Sequence, residues 1–366
     1  MKSKPMTKFA ILTLSLILVA CAGGGSEEAG CPAIDGREIN VVATTPMIGE
    51  FVSQVGGENI NLTVLMPPEA NPHTYEPAPQ DAGTIAEADL VFYTGLLYEP
   101  AALVKLLENS ACSTDILSEV GESVFPIEFK EGGHDDHDDH DDHDDHDDEE
   151  GHDDHDDEEG HDDHDDEEGH DDEEGHDDEE GHDDHEGHNH GAYDPHFWFD
   201  PSRVAYAAEY IESRLIEFDP ENESSYKSSA DSFVSELNDL TKQVSELIST
   251  VPSQNRKLIT THESLGYLEA KFGLEVLSTI IPSLNSANEI SPSDLAGVID
   301  VIEDNNVKVI FIESEAPSVY SETIVAETGI KPVTGLYVET LKPGQSYSEF
   351  LISNVKLITE NLQDTD

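Results

Sequence analysis

Short runs of apolar residues alternate along this chain with segments in which apolar residues recur every three or four positions. The continuous runs are typical of buried strands, and the recurring positions are typical of helices. In the first half the predicted strands are 39–44, 61–66 and 90–93, and the predicted helices are 48–52, 79–88 and 101–107. In the second half the strands are 257–261, 275–279, 307–312 and 331–333, and the helices are 264–272, 291–305 and 318–328. Alternating β and α units predict an α/β fold with a parallel sheet in each half, and ligands bind such sheets beyond the carboxyl ends of the strands.

The region between the two halves predicts one long amphipathic helix within residues 219–251. Its apolar residues follow spacings of three and four, and they are Phe233, Leu237, Leu240, Val244, Leu247 and Ile248. About 30 helical residues would span about 45 Å, so one continuous helix would act as a stiff strut between two lobes. The alternative is two helices with a bend at residues 228–229.

The amino terminus has the pattern of a secretory signal. Residues 1–8 carry three lysines, and residues 9–20 form an apolar stretch that is too short to span a bilayer. The stretch ends in Leu-Val-Ala-Cys, which resembles the lipobox of bacterial lipoproteins and implies cleavage before Cys21 and acylation of that residue. An ordinary signal peptide with an incidental cysteine is the alternative. We expect an extracytoplasmic protein that is anchored to a membrane by lipid.

The predicted organisation has two (β/α) lobes joined by the linking helix. A signal peptide and a flexible, glycine-rich tether precede them, and nothing in the sequence indicates an oligomer. The predicted boundaries are 1–20 for the signal peptide, 21–36 for the tether, 37–218 for the first lobe with an insertion at 131–191, 219–251 for the helix, and 252–366 for the second lobe.

Apart from Cys21, the chain has two cysteines, Cys31 and Cys112. An even pair in an oxidising compartment is compatible with a disulfide, and two free thiols are the alternative. Because the sequence has no CxxC motif, thiolate metal binding and thioredoxin-like chemistry are disfavoured.

The net charge of −65 is concentrated in one segment. Residues 134–190 hold 35 of the 82 acidic residues and no Lys or Arg, and the rest of the chain still has 47 acidic against 17 basic residues. Such a surface repels nucleic acid and anionic lipid headgroups and attracts cations. A nucleic-acid-binding role is therefore excluded.

This acidic segment also carries most of the histidines. It has no apolar residue, so we expect a disordered insertion within the first lobe. Imidazole and carboxylate together bind divalent metals, which predicts auxiliary, weak metal binding, and a solvated spacer is the alternative. The histidines of this segment are His134, His137, His140, His143, His146, His152, His155, His161, His164, His170, His176, His182, His185, His188 and His190.

Only three histidines lie outside the acidic segment: His73, His196 and His262. Each lies in a short segment that is predicted to be the loop after a strand. One such histidine is more often structural, but three isolated histidines at loop tips favour a shared metal site. Either Asp194 or Asp200 could orient the imidazole of His196.

The segments around these histidines resemble a known family. They are Asn-Pro-His-Thr-Tyr-Glu at 71–76, Asp-Pro-His-Phe-Trp at 194–198 and Thr-His-Glu-Ser-Leu-Gly-Tyr at 261–267. They are similar to the metal-ligand segments of the zinc and manganese substrate-binding lipoproteins of ABC transporters, and the resemblance extends over residues 39–362. The long acidic histidine segment is similar to that of the zinc-specific members. The resemblance implies two lobes joined by one rigid helix, with a metal between them.

The resemblance also implies a fourth ligand from the second lobe. In the segment 335–341 this ligand is Glu339, although water takes the position in some zinc members. Glu313 and Glu315 are competing carboxylates nearby.

Three imidazoles and one carboxylate favour Zn²⁺ in a tetrahedral site. Mn²⁺ prefers more oxygen ligands and is less favoured, and the manganese members tend to have an acid where this chain has His262. The expected function is capture of one Zn²⁺ for a membrane permease and its ATPase.

Two other functions stay open. Three histidines alone could form the site of a zinc hydrolase, although the sequence has neither HExxH nor GxSxG. The acidic segment could instead make the protein a surface metal buffer, and members of the family have also been linked with cell adhesion.

Overall fold

The computed structural model describes Cys31, Ile34 and residues 36–68, 70–129, 193–315 and 319–363. The predicted signal peptide, the lipidation site Cys21, most of the tether and the fifteen histidines of the acidic segment lie outside these residues. Within the described residues the predicted α/β fold with parallel strands is confirmed.

The first lobe has one four-stranded parallel sheet in the order β2-β1-β3-β4. Its strands are β1 (Ile39–Ala43), β2 (Ile60–Val64), β3 (Leu90–Tyr93) and β4 (Leu117–Glu119). Three of them were predicted, whereas β4, with three residues, is too short to leave a pattern. The helices of this lobe are α1 (Pro46–Gly56), α2 (Pro79–Ala86), α3 (Ala101–Ser110) and α4 (Pro201–Phe218).

The strands of this sheet bury both faces, because alternate side chains point to opposite sides. In β1, Val41 and Ala43 join the core that contains α1, α4 and α5, while Val42 joins a second core beneath α2 and α3. The helices therefore cover the sheet on two sides, and its carboxyl edge stays available for loops.

The linking element is one helix, α5 (Glu223–Ser249), of 27 residues. It passes through residues 228–229 without interruption, and the 3-10 turn Pro220–Asn222 comes just before it. At 1.5 Å per residue it is about 40 Å long. It packs against α1 and α4 of the first lobe and against α6 and α9 of the second. Its buried side chains lie three or four positions apart: Tyr226, Ala230, Phe233, Leu237, Leu240, Val244 and Ile248.

The second lobe has eight elements. They are β5 (Lys257–His262), α6 (Gly266–Phe272), β6 (Glu275–Ile281), α7 (Pro292–Asp304), β7 (Val309–Glu313), α8 (Val319–Thr328), β8 (Lys331–Leu336) and α9 (Tyr347–Gln363). Its strands form two parallel pairs, β5 with β6 and β7 with β8, rather than one continuous ladder. Strands β5 and β7 lie side by side. At this seam the backbone N–H of Glu313 donates to Oγ1 of Thr261 at 3.0 Å, a side-chain contact where a continuous sheet would have a backbone bond.

The structure also joins Cys31 and Cys112 in a disulfide, which ties the chain ahead of β1 to the end of α3. Among the described residues, no helix is long and apolar enough to cross a membrane.

Candidate metal centre

Four side chains that are far apart in the sequence meet where the two lobes face each other. They are His73, His196, His262 and Glu339, and each offers one ligand atom within 4.8 Å of the others. The first two belong to the first lobe and the last two to the second. All four side chains are buried: the exposed fraction is 3% for His73 and 0% for the other three.

His73 follows β2 in a short 3-10 turn, Pro72–Thr74. Oδ1 of Asn71 accepts the backbone N–H of His73 at 2.9 Å, which caps the turn and fixes the backbone. Nδ2 of Asn71 also donates to Oγ of Ser286 in the second lobe at 3.0 Å. The turn that presents His73 is thereby tied to the opposite lobe.

His196 does not follow a strand, and that part of the sequence-based expectation is wrong. The chain returns from the acidic segment through a single antiparallel bridge between Glu128 and Tyr193. The backbone N–H of Asp194 then donates to the carbonyl of Ile127 at 3.0 Å. An isolated bridge of this kind leaves no hydrophobic pattern, so the sequence could not distinguish it from a strand end.

Of the two carboxylates proposed to orient His196, the structure places Asp194 against the ring. Its Oδ1 lies 2.8 Å from Nδ1 of His196 and accepts the backbone N–H of the same residue at 2.8 Å. Asp200 instead caps α4 by accepting the N–H of Ser202 at 2.9 Å. Because Nδ1 is bonded to Asp194, Nε2 is the nitrogen that points towards the centre of the site.

His262 is the last residue of β5 rather than a loop residue, and Glu313 at the end of β7 holds it. One carboxylate oxygen of Glu313 is hydrogen-bonded to Nδ1 of His262, and the other accepts the backbone N–H of His262 at 3.2 Å. The hydroxyl of Ser264 donates to the same carboxylate at 3.3 Å. Glu313 therefore lies behind the imidazole and not among the four convergent side chains.

The four ligand atoms form a compact shell. Oε1 of Glu339 lies 3.0 Å from Nε2 of His73 and 2.9 Å from Nε2 of His262, and Oε2 lies 3.5 Å from Nε2 of His196. Four donors arranged tetrahedrally at about 2.0–2.2 Å from one ion lie about 3.3–3.6 Å from one another. The shell is therefore close to the size that a small divalent cation requires.

Two of these nitrogens have no hydrogen bond. Nε2 of His196 and Nε2 of His262 are both buried, and neither has a partner of acceptable geometry. A buried polar atom without a partner is costly in a folded protein. Two such atoms that face one carboxylate indicate a site whose partner is a cation.

Hydrogen bonds from the first lobe hold the segment that carries Glu339. Tyr98, in the loop after β3, is buried, and its hydroxyl lies 2.9 Å from Oε2 of Glu339 and 3.2 Å from the carbonyl oxygen of the same residue. Nε1 of Trp198 donates to the carbonyl of Val338 at 2.8 Å. Neither contact is visible in the sequence, because Tyr98 and Glu339 are 241 positions apart and no local pattern relates them.

The charged groups of the site shift one another's pKa values. Burial lowers the pKa of His196, but the charge of Glu339 and the hydrogen bond from the imidazole to Asp194 more than offset burial and raise that pKa to about 9. Burial likewise opposes charge on His262, and the carboxylates of Glu313 and Glu339 raise its pKa well above the ordinary value. Burial disfavours the charged form of Glu339, yet the neighbouring imidazoles hold its pKa well below the ordinary value. The site stabilises positive charge at its centre.

Glu315 is another carboxylate near the site. Both of its oxygens are buried without a hydrogen-bond partner. Burial raises its pKa to about 8, and repulsion from Glu339 and Glu313 adds to this effect. Glu315 is not among the four convergent residues, but it is a second oxygen donor close to them.

A cavity of about 620 Å³ leads to the site. It is lined mainly by the loop after β3 and by α3 of the first lobe, and Asn285 closes it from the second lobe. His73 lies on its wall. The cavity therefore borders the site on the side of His73.

Comparison with known proteins places this arrangement in a family. Residues 41–361 match the family described as zinc-uptake complex component A, periplasmic. The chain is 22% identical over 350 residues to the manganese-binding lipoprotein MntA of Halalkalibacterium halodurans, covering 95% of this chain and 94% of that protein. It is 24% identical over 368 residues to the manganese ABC transporter substrate-binding lipoprotein PsaA of Streptococcus anginosus, covering 98% and 99%.

A solved structure with the same fold is the periplasmic zinc-binding protein TroA from Treponema pallidum. It superposes with a TM-score of 0.67 at 19% sequence identity, over 89% of this chain and 99% of that one. At this identity the likeness supports the fold alone.

Proposed function

Because this chain belongs to the family of zinc-uptake complex component A, it is a metal-binding, substrate-binding protein of an ABC transporter, and we propose that its cargo is Zn²⁺. In this proposal one ion is held by His73, His196, His262 and Glu339. A substrate-binding component is not an enzyme, so the hydrolase alternative falls away.

The convergence of three imidazole nitrogens and one carboxylate supports zinc as the cargo. Zn²⁺ accepts four donors of this kind in a tetrahedron, whereas Mn²⁺ prefers more oxygen ligands and a higher coordination number. The names of the relatives include both manganese and zinc, so the family alone does not choose the metal. The donor set of three imidazoles and one carboxylate favours zinc over manganese.

Manganese is the second candidate, and two observations favour it. MntA and PsaA are both named for manganese. In this chain Glu315 also places a second buried carboxylate beside the site, and recruiting it would add an oxygen ligand.

The division of the ligands between the lobes suggests how the ion is released. His73 and His196 come from the first lobe, and His262 and Glu339 come from the second. A small separation of the lobes would leave the ion with two protein ligands. We propose that docking on the permease produces this separation and that the transporter's ATPase then drives uptake.

The location follows from the same family. PsaA and MntA are named lipoproteins. We propose that this chain is likewise extracytoplasmic, anchored through Cys21 and monomeric. The histidines of residues 134–190 would act as an auxiliary, weak metal-binding segment beside the central site.

The experiment that tests this function is a competitive titration of the full chain with Zn²⁺ and Mn²⁺ in the presence of a chelator. One tight zinc ion per chain is expected. It should be lost in His73→Ala and retained in a variant without residues 134–190, since the bridge between Glu128 and Tyr193 joins the ends of that deletion. His152→Ala, within the acidic segment, is the matched control and should bind zinc like the parent.

Two results would contradict the proposal. Tight zinc binding that survives His73→Ala would exclude the four-residue site. Tight binding that disappears when residues 134–190 are removed would make the protein a metal buffer.

A further inference from the structure

The hydroxyl of Tyr98 binds one particular oxygen of Glu339. It lies 2.9 Å from Oε2, while Oε1 is the oxygen within 3.0 Å of the imidazoles of His73 and His262. The two oxygens of this carboxylate thus have different neighbours. Oε1 faces two of the imidazoles, whereas Oε2 lies 3.5 Å from Nε2 of His196 and is also hydrogen-bonded to a residue of the opposite lobe.

Tyr98 is held firmly in this position by its own loop. Gly95, Leu96 and Leu97 adopt positive φ angles of 77°, 53° and 61°. Leucine seldom adopts this conformation, and such strain persists only where the surroundings enforce it. Here the carboxylate of Glu99 accepts the N–H of Gly95 at 2.9 Å and pins the start of the turn.

The ring of Tyr98 is equally constrained. Its centroid lies 5.3 Å from that of Trp198, 5.0 Å from that of His73 and 5.8 Å from that of His196, all edge-to-face. A phenylalanine would keep these ring contacts and lose only the hydroxyl. The position of the hydroxyl is therefore set by packing before any metal arrives.

We propose that Tyr98 is a specificity-determining residue, which keeps Glu339 monodentate and the metal four-coordinate and so favours zinc over manganese. This inference rests on the proposed function, because it concerns the selectivity of the same site. A carboxylate that binds through both oxygens adds a ligand, and Mn²⁺ gains more from the added oxygen than Zn²⁺ does. While Tyr98 holds Oε2, a metal that binds through that oxygen must compete with a hydrogen bond to a charged group.

The test compares the full-length parent chain with Tyr98→Phe by chelator competition with Zn²⁺ and with Mn²⁺. Zinc affinity should fall about tenfold or more, the range expected for a lost hydrogen bond to a charged group. Manganese affinity should change by less than about threefold, because the released oxygen becomes a ligand. The zinc-to-manganese affinity ratio should therefore fall about tenfold.

Tyr347→Phe is the matched control. Tyr347 is also buried, and its hydroxyl donates to the carbonyl of Trp198 at 2.6 Å without touching any of the four convergent side chains. Its loss should leave the metal ratio unchanged, even if the melting temperature falls.

A second readout reports the coordination number and not the affinity. Co²⁺ in the parent chain should give the intense visible absorption of a four-coordinate ion, and Tyr98→Phe should give the weaker spectrum of a five-coordinate one. A parent spectrum of higher coordination would overturn the proposal. An unchanged affinity ratio in Tyr98→Phe would do the same.

These outcomes are separate from a failure of the proposed function. If the parent chain has no tight zinc site that depends on His73, the function itself is wrong. If that site is present and Tyr98→Phe matches Tyr347→Phe, only the role of Tyr98 is wrong.

Discussion

Oδ1 of Asp194 lies 2.8 Å from Nδ1 of His196 and also accepts the backbone N–H of His196. One oxygen thus fixes both the backbone and the ring of the same residue. Tyr267 of the second lobe donates its hydroxyl to the carbonyl of Asp194 at 2.9 Å, so this contact is also linked to the opposite lobe. The orientation of His196 is determined before a metal binds.

Replacing Asp194 by Asn should weaken zinc binding by roughly 10–100-fold, because the outer partner of a ligating imidazole is lost. Isothermal titration with a competing chelator measures this change. Asp200→Asn is the control, since Asp200 caps α4 and Asn also caps helices well. Equal losses in the two variants would show that Asp194 has no special role in metal binding.

Replacing Glu339 by Gln should weaken zinc binding by more than the roughly 10–100-fold expected for an outer partner. The amide keeps the size of the side chain and removes the charge that faces the three imidazoles. Glu315→Gln is the matched variant and should change zinc affinity by less than about threefold, since Glu315 is not one of the four convergent residues. The reverse order of effects would assign the fourth ligand to Glu315.

Gly266→Ala should weaken zinc binding indirectly, by displacing the carboxylate of Asp194. A Cβ at this position would lie 2.7 Å from Oδ2 of Asp194, so the carboxylate that holds His196 must move. Zinc affinity should fall several-fold, as measured by the same competition assay. Gly297→Ala, in the interior of α7 with open space around it, should instead stabilise the fold by about 0.5–1 kcal/mol and leave affinity unchanged. Unaltered zinc binding in Gly266→Ala would mean that Asp194 adapts without cost.

The metal-free protein and the zinc complex should respond to pH in opposite directions. The pKa of His196 is raised from 6.5 to about 9, so its protonated form contributes stability that is fully present below about pH 6.5 and is lost as pH rises through about 9. A ligating imidazole must be neutral, so zinc has to displace this proton. Apparent zinc affinity should therefore rise with pH up to about 9, about tenfold per pH unit for each proton released.

Calorimetry in two buffers of different protonation enthalpy would count the protons released on zinc binding. Thermal melting of the metal-free protein over the same range would follow its stability. Zinc affinity that does not vary between about pH 6.5 and about pH 9 would contradict the raised pKa.

Hydrophobic periodicity was sufficient to predict most of the fold, because central strands such as β1, β5 and β7 are largely buried on both faces and form short apolar runs. Helices α4 and α9 were not predicted, although their buried residues recur at helical spacing, such as Val204, Ala208, Ile211 and Leu215 in α4 and Leu351, Val355, Ile358 and Leu362 in α9. That signal was present in the sequence. The division of the second lobe into two strand pairs was not present there, since it depends on contacts across the seam between β5 and β7.

The metal site, like the fold, could be predicted from the sequence only in part. Three histidines could be singled out because they are rare outside the acidic segment, and Glu339 because its segment resembles the family. The roles of Glu313 behind His262 and of Tyr98 beside Glu339 arise from folding alone. Both pairs join distant parts of the chain, so only the three-dimensional structure brings them together.

The bridge between Glu128 and Tyr193 has a consequence for how this protein can evolve. The acidic segment leaves the first lobe and returns to it at one point, and each doubling of a loop's length adds only about 0.6 kcal/mol to the free energy of closing it. The length of the acidic segment, and with it the number of its histidines, can therefore change at little cost to the fold that holds the interlobe site.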